Sequence, residues 1–200
     1  MFNARKIKYG GTDMYAKDYR KQAWESLRGK WGISILVLVI YSIIISASSM
    51  IAVGPLLLEG FFMFGVCGYF MNLIRNERTD LAQMFDGFSN NLVDNLITGL
   101  LYNLYIALWT LLFIIPGIVK SYSYAMTFYI LRDNPGMTAN EAITASREMM
   151  DGNKMKLFLL DLSFIGWILL TIVTFGIASF WTLPYMQAAR AAFYEDIKNA

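Results

Sequence analysis

LITGLLYNLYIALWTLLFIIPGIVKSYSYAMTFYILRDN, residues 96–134, carries a single charged side chain, Lys120, between Leu96 and Leu131. Drawn as one helix, that interval would reach about 54 Å at ~1.5 Å per residue. A bilayer's hydrocarbon core is only about 30 Å thick, so one straight crossing does not use it. Pro116-Gly117 stands in its middle. Proline lacks the amide that would continue a helix, and glycine turns cheaply. The stretch therefore predicts a membrane hairpin, with spans over 96–115 and 118–131 and a turn at Pro116 and Gly117.

The same pattern extends in both directions. Residues 33–52 hold no charge, and Gly54-Pro55 follows as a turn. Residues 56–74 make a second span, interrupted by Glu59. Downstream, 157–175 and 177–194 make a fifth and a sixth, with Gly176 as the turn between them. Asp161 lies near the start of the fifth, while Pro184 and Arg190 lie in the sixth. The composition agrees: 56% of the 200 residues are hydrophobic and 16% are charged. A soluble domain carries about 25% charged residues, scattered with helical or strand periodicity rather than in blocks.

Polar connections separate the hairpins. Residues 1–32 form a basic segment with eight Lys/Arg, and no apolar run precedes them. The first span is thus expected to act as an uncleaved insertion signal. Within this segment a helix over about 14–30, capped by Thr12 or Asp13, places Tyr19, Ala23, Trp24, Leu27 and Trp31 on one face. A basic amphipathic helix rich in tryptophan suits a membrane surface. A second short helix is expected in 75–95, where Asp80 and Gln83 fit a capping box before Leu81, Met84, Phe85 and Phe88. A third opens at the box Thr138–Glu141 and sets Ala142, Ile143, Ser146, Met149 and Met150 on one side.

Sixteen of the seventeen Lys/Arg fall in the first 32 residues, in 75–95, in 132–156 or in the last eleven residues. The turns near 53–55, 115–117 and 175–178 have none. Positive residues stay cytoplasmic, so both termini are expected inside. The architecture expected is all-α: six transmembrane helices in three hairpins, each preceded by a cytoplasmic amphipathic helix, with a membrane domain over 33–200. The joints Ser26–Trp31, Met84–Ser89 and Met149–Lys154 each carry a glycine, at Gly29, Gly87 and Gly152. A threefold repeat of parallel units would explain them, and so would the general use of glycine beyond helix ends.

Several segments resemble a known family. They are AWESLRGKWG at 23–32, FDGF at 85–88, IIPGI at 114–118, SYAMTFYILRDNP at 123–135, SREMMDGNKMKLFLLDLSFIGW at 146–167 and LPYMQAARAAFYEDI at 183–197. The chain is identified by them as similar to small bacterial integral-membrane proteins grouped as domain of unknown function 975. The resemblance implies a multi-pass protein of the bacterial plasma membrane. It supplies no activity and no catalytic or binding residues.

Four charges lie within expected spans: Glu59, Lys120, Asp161 and Arg190. Charges at membrane depth are costly and face partners or water. Position along the spans predicts two pairs, Glu59 with Lys120 near the outer face and Asp161 with Arg190 near the inner face. Either these are clasps between helices or they line a polar path. Ser121, Tyr122, Ser123, Tyr124, Thr127 and Tyr129 likewise either line a groove or join helices. The one cysteine, Cys67, reads as a small packing residue, and no intrachain disulfide is possible.

Enzyme signatures fail one by one. Without histidine there is no HExxH zinc site, no Ser-His dyad and no histidine-ligated iron. GxSxG, GxGxxG and Walker loops are absent, and Asp161 is the sole aspartate within a span. No catalytic residue, cofactor or metal is expected. The expected role is a non-enzymatic accessory or scaffold protein acting through lipid or protein contacts. The basic N-terminus would meet anionic headgroups rather than nucleic acid, and a membrane-protein partner or a second copy would be the protein contact. The alternative is a small transporter or channel using the span charges.

Overall fold

The computed structural model describes residues 14–51, 53–89 and 92–199. It is all-α, with no strand among the described residues. In chain order the helices are α1 Ala16–Leu27, α2 Trp31–Ser48 and α3 Gly54–Ile74, then a 3-10 helix Leu81–Phe85. There follow α4 Asp86–Ser89, α5 Leu92–Leu112, α6 Ile114–Tyr124 and α7 Thr127–Asp133. The last four are α8 Ala139–Met149, α9 Lys154–Leu162, α10 Ile165–Val173 and α11 Ser179–Lys198.

Four stretches are long and apolar enough to cross a membrane: α2, α3, Leu92–Leu111 and the α9–α10 stretch Lys154–Val173. They coincide with four of the six expected spans. The other two differ in kind. Residues 118–131 fall in two short helices, α6 and α7, broken at Ala125–Met126. The sixth, α11, is continuous through Pro184, but Arg190, Glu195, Asp196 and Lys198 crowd its second half. Its Ala188, Ala189, Ala191 and Ala192 are fully buried, so it is largely enclosed by protein.

The hub is α3, whose apolar window is 72% buried, against 17% for each of the other three. Small residues let neighbours reach its axis. At Gly60 a side chain would begin 2.2 Å from the Asn95 carbonyl oxygen, and Gly99 of α5 faces Gly60 in return. These two glycines set the close crossing of α3 and α5. Further along α3, Phe64, Tyr69, Phe70, Met71 and Leu73 form the middle of the core with Tyr129, Leu131, Phe193 and Tyr194.

Two expected turns move. The central break lies at Phe113, not at Pro116-Gly117, which are the third and fourth residues of α6. Helix first-turn amides have no intrahelical acceptor, so proline there loses nothing and sets φ correctly. For the same reason Gly54 and Pro55 open α3 rather than form the turn, and the bend precedes them. Gly176 does lie in its turn, at φ +91°. The three glycine joints are not equivalent. Gly29 and Gly152 both adopt φ +75° after α1 and α8. Gly87 is instead helical and buried, because the Phe61 backbone occupies the place of a side chain.

The amphipathic helices turn their apolar faces to protein. α1 starts at Ala16, where Asp18 reaches back to the Tyr15 amide at 3.0 Å. The expected caps Thr12 and Asp13 lie outside the described residues. Its Tyr19, Ala23 and Leu27 are buried against α11, and the Tyr19 hydroxyl donates to Asp196 at 2.6 Å. The face expected at the membrane surface is therefore taken by α11, while Trp24 remains 41% exposed. In 75–95 the expected helix is a 3-10 turn followed by α4. Asp80 caps the Ala82 amide, whereas Gln83 turns to the Arg78 carbonyl, so no capping box closes.

The box at α8 does form, with Glu141 accepting from the Thr138 amide at 2.8 Å and the Thr138 hydroxyl receiving the Glu141 amide at 3.4 Å. The helix then packs into the α6–α7 break. The buried Ser146 hydroxyl accepts from the Met126 amide at 3.2 Å and donates to the Ser123 carbonyl at 2.9 Å. One side chain thus bonds a backbone group on each side of the break.

At one end of the bundle a charge cluster ties α3, α7 and α11. Arg75 bonds Asp133 at 2.7 Å and Glu195 at 2.8 Å, and Asp133 also receives Tyr194 at 2.9 Å and Lys198. Nearby, Arg132 pairs with Asp86 at 2.7 Å and lies over the Phe64 ring.

Candidate functional site

Asp161 projects from α9 and Arg190 from α11, and the structure brings them together as expected. Arg190 Nε donates to Asp161 Oδ1 at 3.2 Å and Nη2 to Oδ2 at 2.9 Å. A paired fork of this kind fixes the plane of both groups. The Tyr122 hydroxyl of α6 adds a third bond to Oδ2 at 3.1 Å. α6 and α11 both pack on α9, which is why the three side chains meet.

The pair lines a cavity of about 270 Å³. Its walls come from α3 (Met63, Cys67), α5 (Tyr102), α6 (Ile118, Ser121, Tyr122), α7 (Phe128, Tyr129), α9 (Leu157) and α11 (Gln187). Cys67 is buried and lies beside Tyr129. Of the hydroxyls singled out from sequence, Ser121, Tyr122 and Tyr129 reach this cavity. Ser123 and Thr127 bond back to the Val119 and Tyr124 carbonyls within their own stretch.

The other expected pair does not form. Glu59 accepts from the Asn103 amide of α5 at 2.8 Å. The Lys120 ammonium sits over the Trp109 ring, 4.6 Å from its centroid. α6 begins at Ile114 rather than at residue 118, so Lys120 lies two turns into it. There it lines a second groove with Thr144, Arg147, Glu148, Asp151 and Lys154. Its neighbours therefore come from Trp109 of α5 and from the connection 132–156, whereas Glu59 is held by Asn103. This groove and the Asp161–Arg190 cavity have no lining residue in common.

A third concavity, about 360 Å³, lies along α1. Lys17, Arg20, Lys21 and Arg28 surround Trp24, Glu25 and Tyr185 there. Arg20 is anchored through Nη1 to the Ser163 carbonyl at 3.0 Å, and its guanidinium rests over Phe164 and Tyr185.

Among the described residues no group of three or more His, Cys, Asp or Glu is placed to hold a metal. The family model described as "Protein of unknown function (DUF975)" matches residues 14–120 and 111–200. The chain belongs to this DUF975 family. No curated protein and no solved structure matches it. Membership agrees with the resemblance of the joints and of the last 85 residues, and it brings no activity with it.

Sequence reasoning missed Tyr102, Asn103 and Gln187 as parts of polar sites. Gln187 had a signal: it precedes Arg190 by three residues, one helical turn, on the same face. Tyr102 had none, since a tyrosine inside a span reads equally as packing.

Proposed function

We propose that this DUF975 chain is a non-enzymatic integral protein of the bacterial plasma membrane that acts as an accessory or scaffold through lipid and protein contacts. The observation that carries this reading is the outward apolar surface. α2, Leu92–Leu111 and Lys154–Val173 are each only 17% buried, although all three are strongly apolar. Water would oppose so much exposed apolar area, and acyl chains would not. The finer topology belongs to the same proposal: six spans in three hairpins, with both termini cytoplasmic by the distribution of Lys/Arg. The basic concavity on α1 then faces the inner leaflet and takes anionic headgroups, each Lys or Arg near such a surface contributing about 1 kcal/mol.

The test is extraction of the protein with its surrounding lipid, followed by lipid analysis and identification of co-purified membrane proteins. Enrichment of phosphatidylglycerol over the bulk membrane, lost in a Lys17→Gln/Lys21→Gln/Arg28→Gln variant, is the expected result. Bulk lipid composition together with no reproducible partner would overturn the reading.

The Asp161–Arg190 cavity favours a second reading, a small transporter or channel. Solute flux in proteoliposomes that disappears in Arg190→Met would select it.

A further inference from the structure

The Asp161–Arg190 pair leaves donors over. Arg190 uses Nε and Nη2 on Asp161, and its Nη1 has no partner among the described residues. The Gln187 amide and the Tyr102 hydroxyl likewise make no hydrogen bond among the described residues, and both line the same cavity. Three donor-bearing side chains from α5 and α11 thus line one space together with Met63, Ile118, Phe128 and Leu157. These groups are accessible from the cavity, the Arg190 side chain being 37% exposed, so a ligand seated there can take their open hydrogen-bonding capacity.

We infer that this cavity is a binding site for a small zwitterion, an ammonium carboxylate of amino-acid size. Its volume of about 270 Å³ lies just below the usual range for ligand pockets and suits a small solute. The Asp161–Arg190 pair is already neutral, so a ligand of net charge would find no counter-charge left for it there. A zwitterion adds none. Its carboxylate takes the free Nη1 of Arg190, the Gln187 amide and the Tyr102 hydroxyl. Its ammonium takes the acceptor capacity left on Asp161 and the ring face of Tyr122. The inference goes beyond the accessory role and does not require that the ligand cross the membrane.

Titration calorimetry on the full chain in detergent tests this, with glycine, L-alanine and L-leucine as probes. Isocaproate and isoamylamine serve as the carboxylate-only and amine-only halves of leucine. At least one amino acid is expected to bind saturably, with either half about tenfold weaker or worse. Gln187→Leu and Tyr102→Phe each remove one donor while leaving the ion pair intact, and each is expected to weaken binding about tenfold. Lys120→Gln, in the other groove, is expected to leave it unchanged. The inference fails if no amino acid binds, if a half-ligand binds as well as leucine, or if both cavity variants bind like the parent. Phosphoethanolamine, the zwitterionic lipid headgroup, is the competing source. Binding it more tightly than any amino acid would also overturn the amino-acid assignment.

Discussion

Ser146→Ala should destabilise the protein by about 2–3 kcal/mol, although it removes a single oxygen atom. The hydroxyl is fully buried and holds both sides of the α6–α7 break, taking the Met126 amide and giving to the Ser123 carbonyl. Each bond is worth about 1 kcal/mol net, and a buried amide left without an acceptor costs about 1–3 kcal/mol. Alanine returns about 0.5 kcal/mol through its higher helix propensity. For a chain of this length the balance corresponds to a fall of about 5–10 °C in the melting midpoint. The assay is thermal unfolding in detergent, read by reaction of the buried Cys67 thiol with a fluorogenic maleimide. Ser121→Ala is the control, because that hydroxyl bonds only the Ile118 carbonyl of its own helix. If Ser146→Ala melts with the control, α8 is not seated in the break and the packing described for residues 123–146 is wrong.

Other perturbations separate the remaining contacts. In a double-mutant cycle, Asp161→Asn and Arg190→Met should couple by at least 1 kcal/mol, and the charge-swapped protein should be more stable than either single reversal; simple additivity would dissolve the clasp. Gly60→Ala should cost more than 3 kcal/mol or abolish folding, since its new Cβ would meet the Asn95 carbonyl at 2.2 Å; a normal melting curve would refute the close α3–α5 crossing. Burial by itself would raise the pKa of Asp133, but bonds from Arg75, Lys198 and Tyr194 outweigh it and hold the carboxyl below its ordinary value. Its contribution to stability is therefore complete above about pH 4 and lost as pH falls through the lower folded-state value. Accordingly the stability gap between the parent and Asp133→Asn, followed by unfolding from pH 7 to pH 2.5, should close at the acid end; a gap independent of pH would contradict the cluster.

Much of the helix order was legible because long apolar blocks leave few alternatives. The stretches 33–52, 56–74 and 96–115 each match one helix of spanning length in nearly those bounds, and 157–175 matches the apolar α9–α10 stretch. Turns were less legible, for one physical reason. Pro55 and Pro116 punctuate the sequence, but proline belongs just inside a helix start, so each break falls earlier than the proline suggests. The amphipathic stripes of α1 and α8 were visible, yet a stripe does not say what covers it. For α1 it is chiefly α11, and for α8 it is α5 together with the α6–α7 break. The Asp161–Arg190 pair was readable from its level in two adjacent stretches expected to span. Glu59 and Lys120 misled because their inferred level depended on a turn at residue 116, and moving the turn to Phe113 carries Lys120 toward α8.

Thiol labelling from the two faces of the membrane tests the central claim, a membrane-spanning bundle with its charged connections inside. In a Cys67→Ser background, single cysteines replace Met50 and Phe175 in two apolar turns, and Lys21 and Asp151 in two basic segments. A membrane-impermeant maleimide is applied to intact cells and to inverted vesicles. The account predicts that positions 50 and 175 react only from outside, and that 21 and 151 react only in inverted vesicles. Reaction of position 21 or 151 in intact cells, or of all four from one face, would contradict it.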